Sequence, residues 1–288
     1  MGACMRFLIK ALASLPLPLL YALGSVLRWL AFDVGGYRRK VIHDNIAGCY
    51  PELDPQRQRA LAQEFSRRFV AVLMEILKET TLSKEALQAR VEIKNPELIM
   101  QAFDAGSPVI AVAAHHGNWE WMLLALSMKF PHPVEAAYKP LHDAWAEQLM
   151  LETRTRFGAN MFPAKTLLPK VLSGGRKPRV IALVADQEPV TAERRQWLRF
   201  MGRDTAFYMG LGELARATRF PVFFCGMQRT RRGHYAVTFT PLTKAGETVD
   251  ANTVVQRYAA EVEAQVRADP ASWLWSNRRW KLKKPLYG

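Results

Sequence analysis

Cysteine is scarce in this chain of 288 residues. Cys4, Cys49 and Cys225 are odd in number and far apart, which excludes a disulfide framework and favours a reducing compartment. Acidic residues are also in short supply: 26 Asp and Glu stand against 40 Lys and Arg, for a net charge of +14. Such a field suits anionic partners, whether nucleic acid, anionic lipid headgroups or an acidic carrier protein. Internal repeats, low-complexity segments and a clean linker are absent, so the chain holds one large or two small domains, and 49% apolar residues are ample for a core. There is no Gly-x-Ser-x-Gly nucleophile elbow, no phosphate-binding loop motif and no metal-ligand spacing, so neither a metal nor another cofactor is expected. Gly210-Leu211-Gly212-Glu213-Leu214-Ala215 fits the loose dinucleotide template, but it lies inside a helical pattern and not directly after a buried strand.

Long apolar runs are limited to one. No residue from Ala11 to Leu27 is charged, Arg6, Lys10 and Arg28 flank the run, and Pro16 and Pro18 interrupt it. It is at the short end for a span, and no persuasive small-x-small cleavage site precedes the basic stretch. Cationic flanks on both sides fit a kinked anchor that lies in the bilayer surface or crosses it; the bland alternative is an apolar helix folded onto the body. Gly35-Gly36-Tyr37-Arg38-Arg39-Lys40 follows as a turn and basic collar, suited to anionic headgroups or simply solvated. The expected division is an anchor and collar over residues 1–40 and a catalytic domain over 41–288.

What is present is an alternation of strands and helices. Asp54 to about Thr81 carries apolar residues at helical spacing, and Ser83 and Asn95-Pro96 look like two short helix starts. From Pro108 the pattern predicts strands at Val109–Ala114, Val134–Tyr138, Val180–Ala185, Val222–Met227 and Tyr235–Thr240. Helices are predicted at Trp119–Phe130, Asp143–Phe157, Thr166–Ser173, Phe207–Arg219 and Asn252–Arg267. The expectation is an α/β fold with a mostly parallel central sheet flanked by helices, behind an N-terminal membrane-anchoring helix.

The densest chemistry sits at Ala114-His115-His116-Gly117-Asn118-Trp119-Glu120-Trp121, where a strand stops and a helix starts with Asn118 as its N-cap. Open α/β sheets place ligands at such edges. His115 and Glu120 form a His-x4-Glu pair, a spacing that His142 and Glu147 repeat. Residues five apart on one helix lie roughly 140° apart and cannot touch. The second pair looks helical throughout, whereas His115 precedes its helix and Gly117 permits a bend that would return the imidazole to Glu120. A neutral imidazole held by a carboxylate on one nitrogen is a general base with the other. The competing reading is a buried histidine satisfied by a neighbouring carbonyl. Asp186 and Gln187 follow the strand Val180–Ala185 and should border the same crevice, with a turn cap as the plain alternative for Asp186.

The segment His115-His116-Gly117-Asn118-Trp119-Glu120 resembles the His-x-Gly-Asn-Trp-Glu signature of the bacterial lipid A biosynthesis acyltransferases, within the wider His-x4-Asp/Glu glycerolipid acyltransferases. Tyr37-Arg38-Arg39 with Asn45 and Pro51-Glu52, Arg154-Thr155-Arg156-Phe157-Gly158, Ala185-Asp186-Gln187, and Trp273-Leu274-Trp275 with Arg278-Arg279-Trp280-Lys281 resemble further elements of that family in the same order. The resemblance implies a glycerolipid-acyltransferase-like fold, His115 and Glu120 as catalytic residues, and Asn118, Arg154, Asp186 and Gln187 as substrate-binding residues. Arg154, or Arg156 if the register differs, would bind substrate phosphate or stabilise developing negative charge. The implied partners are an acyl carrier protein as donor, an anionic glycolipid acceptor and the bacterial inner membrane, with the catalytic domain on its cytoplasmic face. Phe200-Met201-Gly202 and Thr205 depart from the family's usual Phe-Phe-Gly, and the preceding loop lacks its glycines.

Two other functions compete: an acyltransferase for another membrane glycolipid or lysophospholipid, such as a phosphatidylinositol mannoside, and a non-enzymatic membrane-tethered binder of anionic partners. The tail from Trp273 to Lys284, rich in Trp, Arg and Lys, fits either single-stranded nucleic acid or a membrane-interface belt. The anchor favours the belt, and no nucleic-acid partner is expected.

Overall fold

In the computed structural model, which describes residues 2–189 and 194–284, the chain opens with two apolar helices, α1 (Gly2–Ser14) and α2 (Leu17–Arg28), and a π-helical turn, Trp29–Val34. Three helices follow, α3 (Arg39–Cys49), α4 (Pro55–Glu79) and α5 (Lys84–Gln88). The α/β body then runs β1 (Val91–Ile93), α6 (Glu97–Asp104), β2 (Val109–Ala113), α7 (Trp119–Lys129), β3 (Val134–Tyr138), α8 (Ala144–Arg154), β4 (Ala159–Pro163), α9 (Leu167–Ser173) and β5 (Val180–Val184). It closes with β6 (Arg195–Phe200), β7 (Arg203–Tyr208), α10 (Gly210–Thr218), β8 (Val222–Arg231), β9 (His234–Pro241) and α11 (Ala251–Ala268).

Seven strands form one sheet in the order β1-β9-β8-β2-β5-β3-β4, parallel throughout except at β8–β9. Strand β2 lies at its centre, and all five residues are buried. Its side chains alternate between two cores. Ile110 and Val112 pack with α10, α11 and the C-terminal tryptophans, while Val109, Ala111 and Ala113 pack with α5, α6 and α7. A strand covered on both faces reads as a continuous apolar run, which is why Val109–Ala114 was legible.

Several expectations move. The second His-x4-Glu pair is not helical throughout: α8 begins after His142, with Asp143 as N-cap, and Glu147 accepts from the Tyr138 hydroxyl and the Leu141 N–H. The helix expected over Phe207–Arg219 covers only Gly210–Thr218, because residues 195–208 form a β-hairpin that sequence reading missed. Its two-residue turn is Met201-Gly202, with φ of 51° and 73°. Such a turn needs positive φ at both positions, usually signalled by Asn-Gly, and methionine hides the signal. The Met201 N–H donates to Glu263 of α11 at 2.8 Å, which holds the strained residue. Residues 190–193 of the loop ahead of this hairpin lie outside the described residues.

Of the tail expected to serve as an interface belt, Trp273 and Trp275 are instead part of the core, whereas Arg278, Lys281, Lys283 and Lys284 are exposed. Trp273 and Trp275 are 3% and 0% exposed. Arg279 is buried over the Phe207 ring, where loss of hydration pushes its guanidinium down to about 10, partly opposed by the charge of Asp186.

Candidate active site

Strands β2 and β5 pair in register from Val109↔Val180 to Ala113↔Val184. Two residues beyond that last pair come His115 on one strand and Asp186 on the other, so parallel pairing alone brings them side by side. The His115 Nδ1 lies 2.6 Å from Asp186 Oδ1, and the His115 backbone N–H donates to Oδ2 at 3.1 Å. The Trp273 indole N–H donates to the same Oδ2 at 2.8 Å. Burial by itself would push the Asp186 carboxyl up; the charge of His115 and the hydrogen bonds from its ring, from Trp273 and from the His115 backbone outweigh it and hold the group below the usual carboxylate range.

With Nδ1 turned to Asp186, the other ring nitrogen, Nε2, faces outward. There the Gln187 side-chain nitrogen approaches at 3.2 Å. His115 keeps 19% of its side chain exposed, whereas Asp186 keeps 3%. The geometry is that of a base with its rear nitrogen fixed and its front nitrogen reachable.

Glu120 does not hold His115. Gly117 does supply the expected bend, with φ of +64°, but the bend turns the imidazole toward the neighbouring strand. The Glu120 carboxylate is bound by Arg154 through Nε at 2.8 Å and Nη2 at 2.6 Å. It also accepts from the Trp119 indole at 3.1 Å, and the Trp119 ring meets the His115 ring edge-on at 5.0 Å. The predicted residues thus form two groups, His115–Asp186–Gln187 and Glu120–Arg154, with Trp119 between them. The Nη1 edge of Arg154 is left outside this bidentate clamp. Arg156 points elsewhere, to the carbonyls of Glu79 and Leu82.

Asn118 is the N-cap of α7, as its position predicts, and lies within the protein. It is 0% exposed, its Oδ1 accepts from Trp121 N–H, and its Nδ2 donates to Glu75. The buried-histidine reading fits the neighbouring ring. His116 is 1% exposed; its Nε2 faces the Asp269 carbonyl at 2.9 Å, and its Nδ1 lies 3.1 Å from the Met227 carbonyl and 3.2 Å from the Gln265 amide. Burial drives its pKa down, which keeps it neutral and structural.

Sequence reasoning missed two acids and underrated one tryptophan. Glu75 is fully buried and accepts from Tyr21, Asn118 and Tyr235. Glu79 is buried with Oε2 lacking a hydrogen-bond partner among the described residues; burial, and then the Glu120 charge, push its pKa well up against the pull of Arg154 and Arg156. Both look like ordinary helix residues in sequence. Trp273 belonged to the resemblance, but nothing in the sequence aimed it at Asp186. Its neighbour Leu274 donates its N–H to the His115 carbonyl at 3.1 Å. A cavity of about 20 Å³ lies beside this junction, lined by Phe65, Phe69, Gly117, Trp119, Arg229 and Trp273 among others. It has room for about one water molecule.

Among known proteins, the model of the family described as bacterial lipid A biosynthesis acyltransferase matches residues 4–282. A lipid A biosynthesis acyltransferase of Haemophilus influenzae is 23% identical over 282 residues, an alignment covering 96% of this chain and 86% of that protein.

Proposed function

The chain belongs to the bacterial lipid A biosynthesis acyltransferase family, and on that premise we propose that it moves a fatty acyl chain from an acyl carrier protein thioester to a hydroxyl of a lipid A precursor. His115 is the general base. The observation that carries this reading is the 2.6 Å contact of its Nδ1 with Asp186, which leaves Nε2 facing outward at a sheet edge. Asp186 takes the orienting role expected of Glu120.

The acceptor hydroxyl replaces the Gln187 amide at Nε2 and gives up its proton there. Its oxygen attacks the thioester carbonyl, the tetrahedral intermediate collapses, and the carrier thiolate leaves with the proton returned by His115. A thioester is activated enough to need no protein nucleophile. Negative charge on the carbonyl oxygen is met by Arg154, which Glu120 holds in place, and by the N-terminal end of the α7 dipole. Donor protein and phosphorylated acceptor are both anionic, in keeping with the net charge of +14. The buried free thiols Cys49 and Cys225 accord with a body at the cytoplasmic face of the inner membrane.

The test is mass spectrometry of lipid after the detergent-solubilised protein meets acyl-loaded carrier protein and tetra-acylated lipid A precursor. Wild type should add the mass of one acyl chain, and His115→Ala should be slower by about 10² to 10⁴ while remaining folded. A gain that survives the substitution removes His115 as base. No gain with any donor length directs the search to other glycolipid acceptors.

A further inference from the structure

Twelve of the seventeen large hydrophobic side chains that are exposed among the described residues lie between Met5 and Tyr37. They belong to helices that are firmly attached to the body on their other side. Helix α2 buries Leu17, Leu20, Tyr21 and Gly24, a stripe at helical spacing, against α4. A Cβ on Gly24 would come within 2.8 Å of the Met74 side chain, so the two helices touch closely. They run antiparallel: Tyr21 donates to Glu75 at 2.8 Å, and Arg28 reaches Ser66 at 3.4 Å. At the other end the Lys78 ammonium caps the carbonyls of Ala13, Ser14 and Leu15, and Thr81 donates to Ala13. Helix α1 returns to the body as well, where Arg6 pairs with Glu152 of α8 at 2.7 Å.

Leu17–Val34 is apolar and long enough, by length and composition, to cross a membrane. Its attachments forbid it. At 18 residues the segment measures about 27 Å, barely a bilayer core. Crossing would draw α4 into hydrocarbon with it, including Arg67, Arg68 and Lys78. It would also put α1 across the bilayer from Glu152 and Lys78.

We propose that α1, α2 and the π-helical turn lie flat in the surface of an anionic bilayer, with the N-terminus and the catalytic body on the same side. Leu19, Leu23, Val26, Leu27, Trp29 and Leu30 enter the lipid. Cations rim the patch. Arg6 and Lys10 stand before it, and Arg38, Arg39 and Lys40 after it. An apolar face bordered by cations fits acyl chains beneath negative headgroups. This deepens the membrane location proposed above and is independent of the acyl chemistry.

The test uses full-length protein carrying Cys4→Ser, reconstituted on vesicles of phosphatidylglycerol and phosphatidylethanolamine. Lys10→Cys and Lys40→Cys are labelled separately with a membrane-impermeant maleimide added outside. Equal labelling is expected. Protection of residue 10 until the vesicles are lysed, with residue 40 labelled, means that α2 crosses and overturns the proposal. In a second arm, Leu19→Gln, Leu23→Gln and Leu27→Gln together should weaken vesicle binding at least about tenfold with an unchanged melting temperature. Binding that survives this change also overturns the proposal. So does a wild-type dimer that the triple change dissociates while vesicle binding persists, since the face would then be a contact between copies. Neither arm reads activity, so failure of the acyltransferase assay leaves both interpretable.

Discussion

At Asp186 burial and hydrogen bonding pull in opposite directions, and the hydrogen bonds prevail. A carboxyl whose folded pKa lies below its unfolded value contributes stability above the ordinary range, about 3.9 for Asp, and loses it as pH falls through the folded value. Asp186→Asn should therefore melt below wild type at neutral pH, and the gap should begin to narrow as pH falls below about 3.9. Thermal melts across pH 3–7 check this; a gap that stays constant would show that the ionised carboxylate contributes nothing. Among the two adjacent histidines, only His115 faces a carboxylate. His116 is set among the carbonyls of Met227 and Asp269 and the Gln265 amide, so the two adjacent histidines have different surroundings.

Elements reach the site through pairing and close approach. The β2–β5 register is fixed by apolar side chains packed on both faces, and slipping it by one residue would reverse every one of them. Gly212 shows the same precision in helix packing. A Cβ there would stand 2.1 Å from the Ala251 carbonyl oxygen, because α10 crosses the start of α11 at that point. The glycines that imitate a dinucleotide motif are thus partly a packing requirement. Gly212→Ala should cost about 1–3 kcal/mol or more, measured by urea unfolding, because backbone and not a flexible side chain has to move. Wild-type stability in that variant would mean that α10 shifts freely on α11.

Across the whole molecule, Glu75 ties α2 to the start of α7 and to the sheet. It accepts from Tyr21 on α2, from Asn118 at the start of α7 and from Tyr235 on β9, with no exposure to solvent. Glu75→Ala leaves three buried donors without an acceptor and should cost on the order of 3 kcal/mol or more, read from the melting temperature. Glu75→Gln, which keeps one acceptor, should cost less. Equal losses would mean that packing and not hydrogen bonding makes the joint. The same contacts argue against treating residues 1–40 as a detachable unit, since Val70, Ala71 and Met74 of α4 lie under α2 or beside it.

The sequence by itself determined the α/β class, the buried strands, the N-cap at Asn118 and the polar cluster at the strand end. Each of these is written in local periodicity or in the chemistry of a few consecutive residues. It also carried the family, through motifs spread along the chain. Which acid meets His115 was not local: Asp186 is 71 residues away, and a parallel sheet makes neighbours of residues that no spacing links. Only the sheet order decided between Glu120 and Asp186. Only the docking of α2 on α4 showed that an apolar run with the composition of a span has one side already covered.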